Sequence, residues 1–187
     1  NGKTAKGIFS GDTIVEKEYW GGKSLQMAFI KNMVLEKIKS PRTPLYWLLI
    51  SKGYKTYLLM ANNFKEHYPR FDRETPEEHK KIMDHFASKL YPENYDATDG
   101  LIKFEGIHDH VKEDVAPITP EMIEANPKIK FFSESNPTWK QGSELVCLAR
   151  FDLQLPVRYT LKALKKNAVP RGLKDKMAPI LEAIEAR

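Results

Sequence analysis

Leu45-Tyr46-Trp47-Leu48-Leu49-Ile50 is the longest uninterrupted apolar stretch that opens and closes on turn signals, with Ser40-Pro41-Arg42-Thr43-Pro44 before it and Gly53 after it. A short apolar run without alternation is the pattern of a strand covered on both faces. Upstream, Gly7–Glu16 reads as one strand, or as two short ones broken at Ser10-Gly11-Asp12. Between them, Leu25–Lys39 repeats apolar residues at helical spacing over a wide face, with Ser24 placed as its N-cap. Tyr54–Phe64 has the length and composition of a further helix. The first third therefore predicts strand, helix, buried strand, helix. A strand–helix–strand unit implies parallel strands joined by a crossover.

The remaining pattern is more broken. Thr75-Pro76-Glu77-Glu78 opens a helix that runs towards Tyr91. Thr75 is its expected cap, Pro76 its first residue, and Glu78 completes a capping box. Gly100–Gly106 and Ser143–Leu153 read as strands, and Thr119-Pro120 opens a short helix. From Tyr159 to Arg187 the chain predicts a basic helical tail, interrupted at Val169-Pro170-Arg171-Gly172-Leu173. The expected fold is an α/β (α+β) domain with a mixed, partly parallel sheet and flanking helices. The domain spans residues 1–155, with a helical insertion at about 107–142, and the tail occupies 156–187.

Composition narrows the function classes. The chain has 187 residues, of which 41% are hydrophobic, enough for a real core. The formal charge is +5, with acidic and basic residues interspersed, so the charge mostly describes a solvated surface. A lone cysteine, Cys147, excludes an internal disulfide framework and points to a reducing, cytoplasmic setting. Its place in the apolar run Glu144–Phe151 reads as a buried, inert thiol. No apolar run nears the roughly 18–20 residues that a membrane-spanning helix needs. No nucleic-acid motif is present. His108-Asp109-His110 offers two imidazoles, short of the three or four ligands of a zinc site, so no metal is expected.

The candidate chemistry lies in Glu18-Tyr19-Trp20-Gly21-Gly22-Lys23-Ser24-Leu25-Gln26. Gly22-Lys23-Ser24 matches the end of a P-loop, but Lys17 stands where its opening glycine belongs, and Tyr19 and Trp20 fill the arc that must wrap phosphates. A plain strand-to-helix turn accounts for two glycines and a serine cap without any ligand.

A third reading comes from resemblance. The order of elements, with Gly21-Gly22-Lys23-Ser24-Leu25-Gln26 opening the helix, resembles the coenzyme A half of a GNAT acyltransferase. In that family a glycine turn and helix start receive the coenzyme's pyrophosphate through successive backbone N–H groups. The resemblance implies a binding set of Val15, Gly21, Gly22, Lys23, Ser24 and Leu25. Pantetheine would lie between Asp12–Glu16 and Leu45–Ile50, which the family holds splayed apart. It implies acetyl-coenzyme A or another acyl-coenzyme A as co-substrate and a small-molecule amine or hydroxyl as acceptor. Glu16 would be the base and Tyr57 the acid. The closing hairpin would pair Gly100–Gly106 with Glu144–Phe151.

The chain departs from the family at three places. Gly21 replaces the turn's arginine, Ser24 its later glycine, and Leu59 the tyrosine of the following helix. These departures keep a non-catalytic binding module open as the alternative. The resemblance also implies that the family's first strands would precede Asn1. Phe9, Ile14, Phe29 and Met33 would then lie bare or beneath a second copy in a homodimer.

Overall fold

The computed structural model describes residues 4–11, 24–104 and 117–153. The chain divides into two compact units, Asn1–Asp152 and Leu153–Arg187, and the described residues fall almost wholly in the first. That unit contains strands β1 (Lys6–Ser10), β2 (Leu45–Ser51), β3 (His67–Tyr68), β4 (Tyr95–Asp96), β5 (Leu101–Ile102) and β6 (Glu144–Phe151). Its helices are α1 (Ser24–Lys39), α2 (Tyr54–Asn63), α3 (Glu77–Leu90), α4 (Pro120–Ala125) and α5 (Pro127–Ser135).

The strands form one mixed sheet in the order β1-β2-β6-β5-β4, and β3 pairs with β6 beside β5. β1 runs parallel to β2 from Lys6↔Leu45 to Ser10↔Leu49. β6 runs antiparallel to β2 from Leu45↔Phe151 to Ser51↔Leu145. Gly100–Gly106 and Ser143–Leu153 do pair antiparallel, but among the described residues the first contributes only Leu101 and Ile102 to the ladder.

Side-chain alternation divides the core into two layers. On one face Tyr46, Leu48 and Ile50 of β2 stand beside Leu148 and Val146 of β6 and pack with Met83 and Ala87 of α3. β1 contributes Gly7 to that face, where a Cβ would lie 2.7 Å from the Phe86 ring, so the glycine lets α3 sit close to the sheet edge. On the other face Trp47 meets Phe29 of α1 and Phe64 after α2, with ring centroids 5.1 Å apart in both cases. Tyr57 of α2 packs there against Phe132 of α5. All seven residues of β2 are buried, because both edges are paired and both faces covered.

Several local expectations shift. Pro76, not Thr75, occupies the cap of α3, and no side chain bonds the helix start, because Pro76 is still extended (φ −59°, ψ 143°). Ser24 is the first helical residue of α1. Thr119 does cap α4, its hydroxyl accepting from the Met122 amide. Met33, expected on a bare face, is fully buried, and Phe29 is half-buried against Trp47. Phe9 is 40% exposed, and Ile14 lies outside the described residues. Among the described side chains, the large exposed apolar residues of α1 are instead Met27, Leu35 and Ile38.

Leu48, 2% exposed at the centre of β2, tests this layering. Leu48→Ala should lower unfolding free energy by about 2–5 kcal/mol. Urea titration followed by tryptophan fluorescence reads the change, and an unaltered midpoint would contradict the two-layer core.

Candidate functional site

β1 and β2 are parallel, so their carboxyl ends lie together, and ligands of open α/β sheets bind in the crevice outside such ends. The helix of a crossover also starts there, after the first strand. The Ser10 hydroxyl, at the end of β1, accepts a 2.8 Å hydrogen bond from the Trp47 indole N–H. The Ser51 hydroxyl, at the end of β2, donates to the Gly53 carbonyl at 2.9 Å and shapes the turn into α2. α1 opens at Ser24 and Leu25. The first amides of a helix have no partner within it and carry its positive end.

The same end of the sheet concentrates buried polarity. One step beyond Ser51↔Leu145 the register sets Lys52 opposite Glu144, and Lys52 Nζ stands 3.3 Å from Glu144 Oε1. The Glu144 side chain is 4% exposed and that of Lys52 26%. Beside them the Asn136 amide donates to the Ser143 carbonyl at 2.7 Å, and the Thr138 hydroxyl donates to Ser143 Oγ at 2.8 Å. Asn136 Oδ1 is buried without a hydrogen-bond partner among the described residues. Among the described residues, Ser51, Asn136, Ser143 and Glu144 are thus four of the five buried polar residues, gathered near one end of the sheet.

The positions expected from the sequence are distributed unevenly. Val15, Glu16, Gly21, Gly22 and Lys23 lie outside the described residues, as do Asp12–Glu16 and the His108-Asp109-His110 motif. Ser24 and Leu25 are the first two residues of α1. Tyr57 is fully buried, and its hydroxyl donates to the Pro69 carbonyl at 3.2 Å. Burial pushes that phenol well above its ordinary range. It packs on the α2 face, whereas Glu144 and Lys52 belong to the row of residues that faces α3. Cys147 is buried, and burial likewise raises its thiol far above the ordinary range.

Lys52 and Glu144 were not singled out by sequence reasoning. The signal available was a glutamate opening the apolar run Glu144–Phe151 and a lysine closing the run that starts at Leu45. Only the register joins them. The polar stretch from the end of α2 onward, Asn62 to Arg70, mainly caps and packs. Asn63 bonds the Leu59 carbonyl at 2.7 Å, and Arg70 pairs with Asp72. Trp139 is half-buried, with Lys140 Nζ 5.6 Å from its ring centroid.

Among the described residues, no group of three or more His, Cys, Asp or Glu stands close enough to hold a metal ion, and no helix is long and apolar enough to cross a membrane. Comparison with protein-family models, with curated proteins and with solved structures finds no match to this chain.

His67, also buried, gives a pH test of this packing. Its Nδ1 lies 2.9 Å from the Phe64 carbonyl, which only accepts, so Nδ1–H is the donor. Burial, opposed by that hydrogen bond and reinforced by Arg70 and Lys128, lowers the His67 pKa below its ordinary value. The folded protein therefore favours the neutral ring, while the unfolded chain takes a proton near pH 6.5. The stability due to neutral His67 is complete above that pH and is lost as pH falls towards the depressed folded value. Urea unfolding between pH 8 and 5 should show wild type losing stability faster than His67→Asn, with the difference approaching a slope of about 1.4 kcal/mol per pH unit. Parallel profiles would contradict it.

Proposed function

We propose that the chain binds a coenzyme A thioester at the carboxyl end of the β1–β2 pair and transfers its acyl group to an acceptor amine or hydroxyl. The observation that carries the reading is the parallel pairing of β1 with β2, connected by a chain that passes through Gly21-Gly22 into the start of α1 at Ser24. This is the arrangement in which backbone N–H groups and a helix's positive end receive a pyrophosphate.

Glycines leave the backbone open to close approach, and Lys23 adds a cation. In such a site the protein mainly positions two substrates, and a backbone N–H stabilises the oxyanion that develops on the thioester carbonyl. Glu16 remains the proposed base on the strand side. Among the described residues Tyr57 is buried with its hydroxyl bonded to the Pro69 carbonyl, and the proposed mechanism passes no proton through it.

The burial of Tyr57 also favours a second reading, a GNAT-like module that binds without catalysis. Calorimetry with coenzyme A and assay of thiol release from acetyl-coenzyme A separate the two. Acyl transfer predicts saturable binding, acceptor-dependent thiol release, and at least a tenfold loss of affinity in Gly22→Val with an unchanged melting midpoint. Binding without release supports the module. No binding, or unchanged affinity in Gly22→Val, would contradict the pyrophosphate site.

A further inference from the structure

A helix on a protein surface ordinarily buries one apolar stripe and shows water a polar face. α1 departs from this, since nine of its sixteen residues are apolar and they run round the helix. Phe29 against Trp47 and the fully buried Met33 fix which side meets the sheet. On the outward side Met27, Leu35 and Ile38 are 49%, 46% and 62% exposed. With Lys31 they fall within about 80° of one another round the helix, in a stripe about 16 Å long. Three of the seven exposed large apolar residues among the described residues thus stand on one helix face.

The charge around this stripe has one sign. Among the described side chains of α1, the other exposed residues are Ala28, Lys31, Asn32 and Lys39, none of them acidic. Arg42 is exposed in the turn that follows. From Met27 to Pro44 four basic residues, Lys31, Lys37, Lys39 and Arg42, stand against one acidic residue, Glu36. Glu36 lies between Lys39 Nζ at 2.6 Å and Lys6 Nζ at 3.4 Å. A second copy docked on the same face would set lysines against lysines, so the complementary occupant is anionic. A single helix ridge is also convex, and a lipid surface conforms to it. Lys31, inside the stripe, can lay its stem along the apolar surface and lift its ammonium to a phosphate.

We propose that the exposed face of α1 docks on an anionic lipid bilayer. The helix lies in the headgroup plane, with Met27, Leu35 and Ile38 entering the acyl boundary and Lys31, Lys39 and Arg42 meeting lipid phosphates. The helix rests on the membrane and does not cross it. Part of the attraction is electrostatic, so it weakens as salt rises. The inference is independent of the coenzyme reading, which uses the backbone at the start of α1 and not these outward side chains.

The test is co-sedimentation of the full chain, without coenzyme, with vesicles of pure phosphatidylcholine and with vesicles of phosphatidylcholine and phosphatidylglycerol, at low and high salt. Wild type should bind the anionic vesicles, leave the neutral ones, and lose affinity as salt rises. Lys31→Gln/Lys39→Gln should weaken binding at least tenfold. Leu35→Ser/Ile38→Ser should weaken it at least fivefold. All four positions are exposed, so the melting midpoints should stay at the wild-type value. Ile38→Cys carrying an environment-sensitive dye should shift its emission to the blue on anionic vesicles, and the buried Cys147 stays unlabelled. Four outcomes would overturn the proposal. Wild type could fail to bind anionic vesicles. Binding that survives both double substitutions, or leaves the dye unshifted, would place the contact on another surface. A dimer in light scattering that Leu35→Ser/Ile38→Ser abolishes would give the face to a second copy. Equally tight binding of soluble polyglutamate, indifferent to Leu35→Ser/Ile38→Ser, would reduce the face to charge alone.

Discussion

The complete enclosure of β2 is the constraint on which the rest depends. A strand with two paired edges and two covered faces must find partners for every backbone group and apolar cover for every side chain. β1 and β6 supply the first, and α3 on one side with α1 and α2 on the other supply the second. Once β2 is central, β1 must run parallel to it because α1 intervenes, and the long stretch between β2 and β6 allows β6 to return antiparallel. The carboxyl ends of β1 and β2 and the start of β6 then meet at one end of the sheet. A single burial requirement thereby places the candidate site.

At that end the apolar row stops. Along the α3 face, cross-strand neighbours run Tyr46 with Arg150, Leu48 with Leu148, Ile50 with Val146, and then Lys52 with Glu144. The first pair is open to water on the arginine side, and Arg150 meets Glu66 at 3.5 Å. A half-exposed pair of that kind adds little to stability and needs no special explanation. The last pair encloses its carboxylate, and Asn136 close by leaves an amide oxygen buried and unmatched among the described residues. Buried polar groups that are incompletely matched gather where a protein sacrifices stability for chemistry.

Much of this architecture was legible in the sequence because burial on both faces has a pattern of its own. Leu45–Ile50 announced the central strand, and Leu25–Lys39 the crossover helix. The two-residue strands β3 and β4 were not legible, since so short a ladder has no periodicity, and tertiary pairing alone defines it. α5 was missed because only Asn126 separates it from the short α4 and its polar residues mask the buried pair Ile129 and Phe132. Thr75 misled because a capping sequence was present one residue too early for the extended Pro76. The candidate site was half legible. The glycine turn carries a local signal. Glu144 and Lys52 lie 92 positions apart, and only the register of β2 with β6 makes them neighbours.

The central claim is that the carboxyl end of the β1–β2 pair is a coenzyme site, and a crystal structure of the chain grown with coenzyme A tests it most directly. The account predicts pyrophosphate oxygens within about 3 Å of the backbone N–H groups at residues 22–25. Coenzyme bound elsewhere on the molecule, or a helix start at Ser24 closed over by the protein's own side chains, would contradict it.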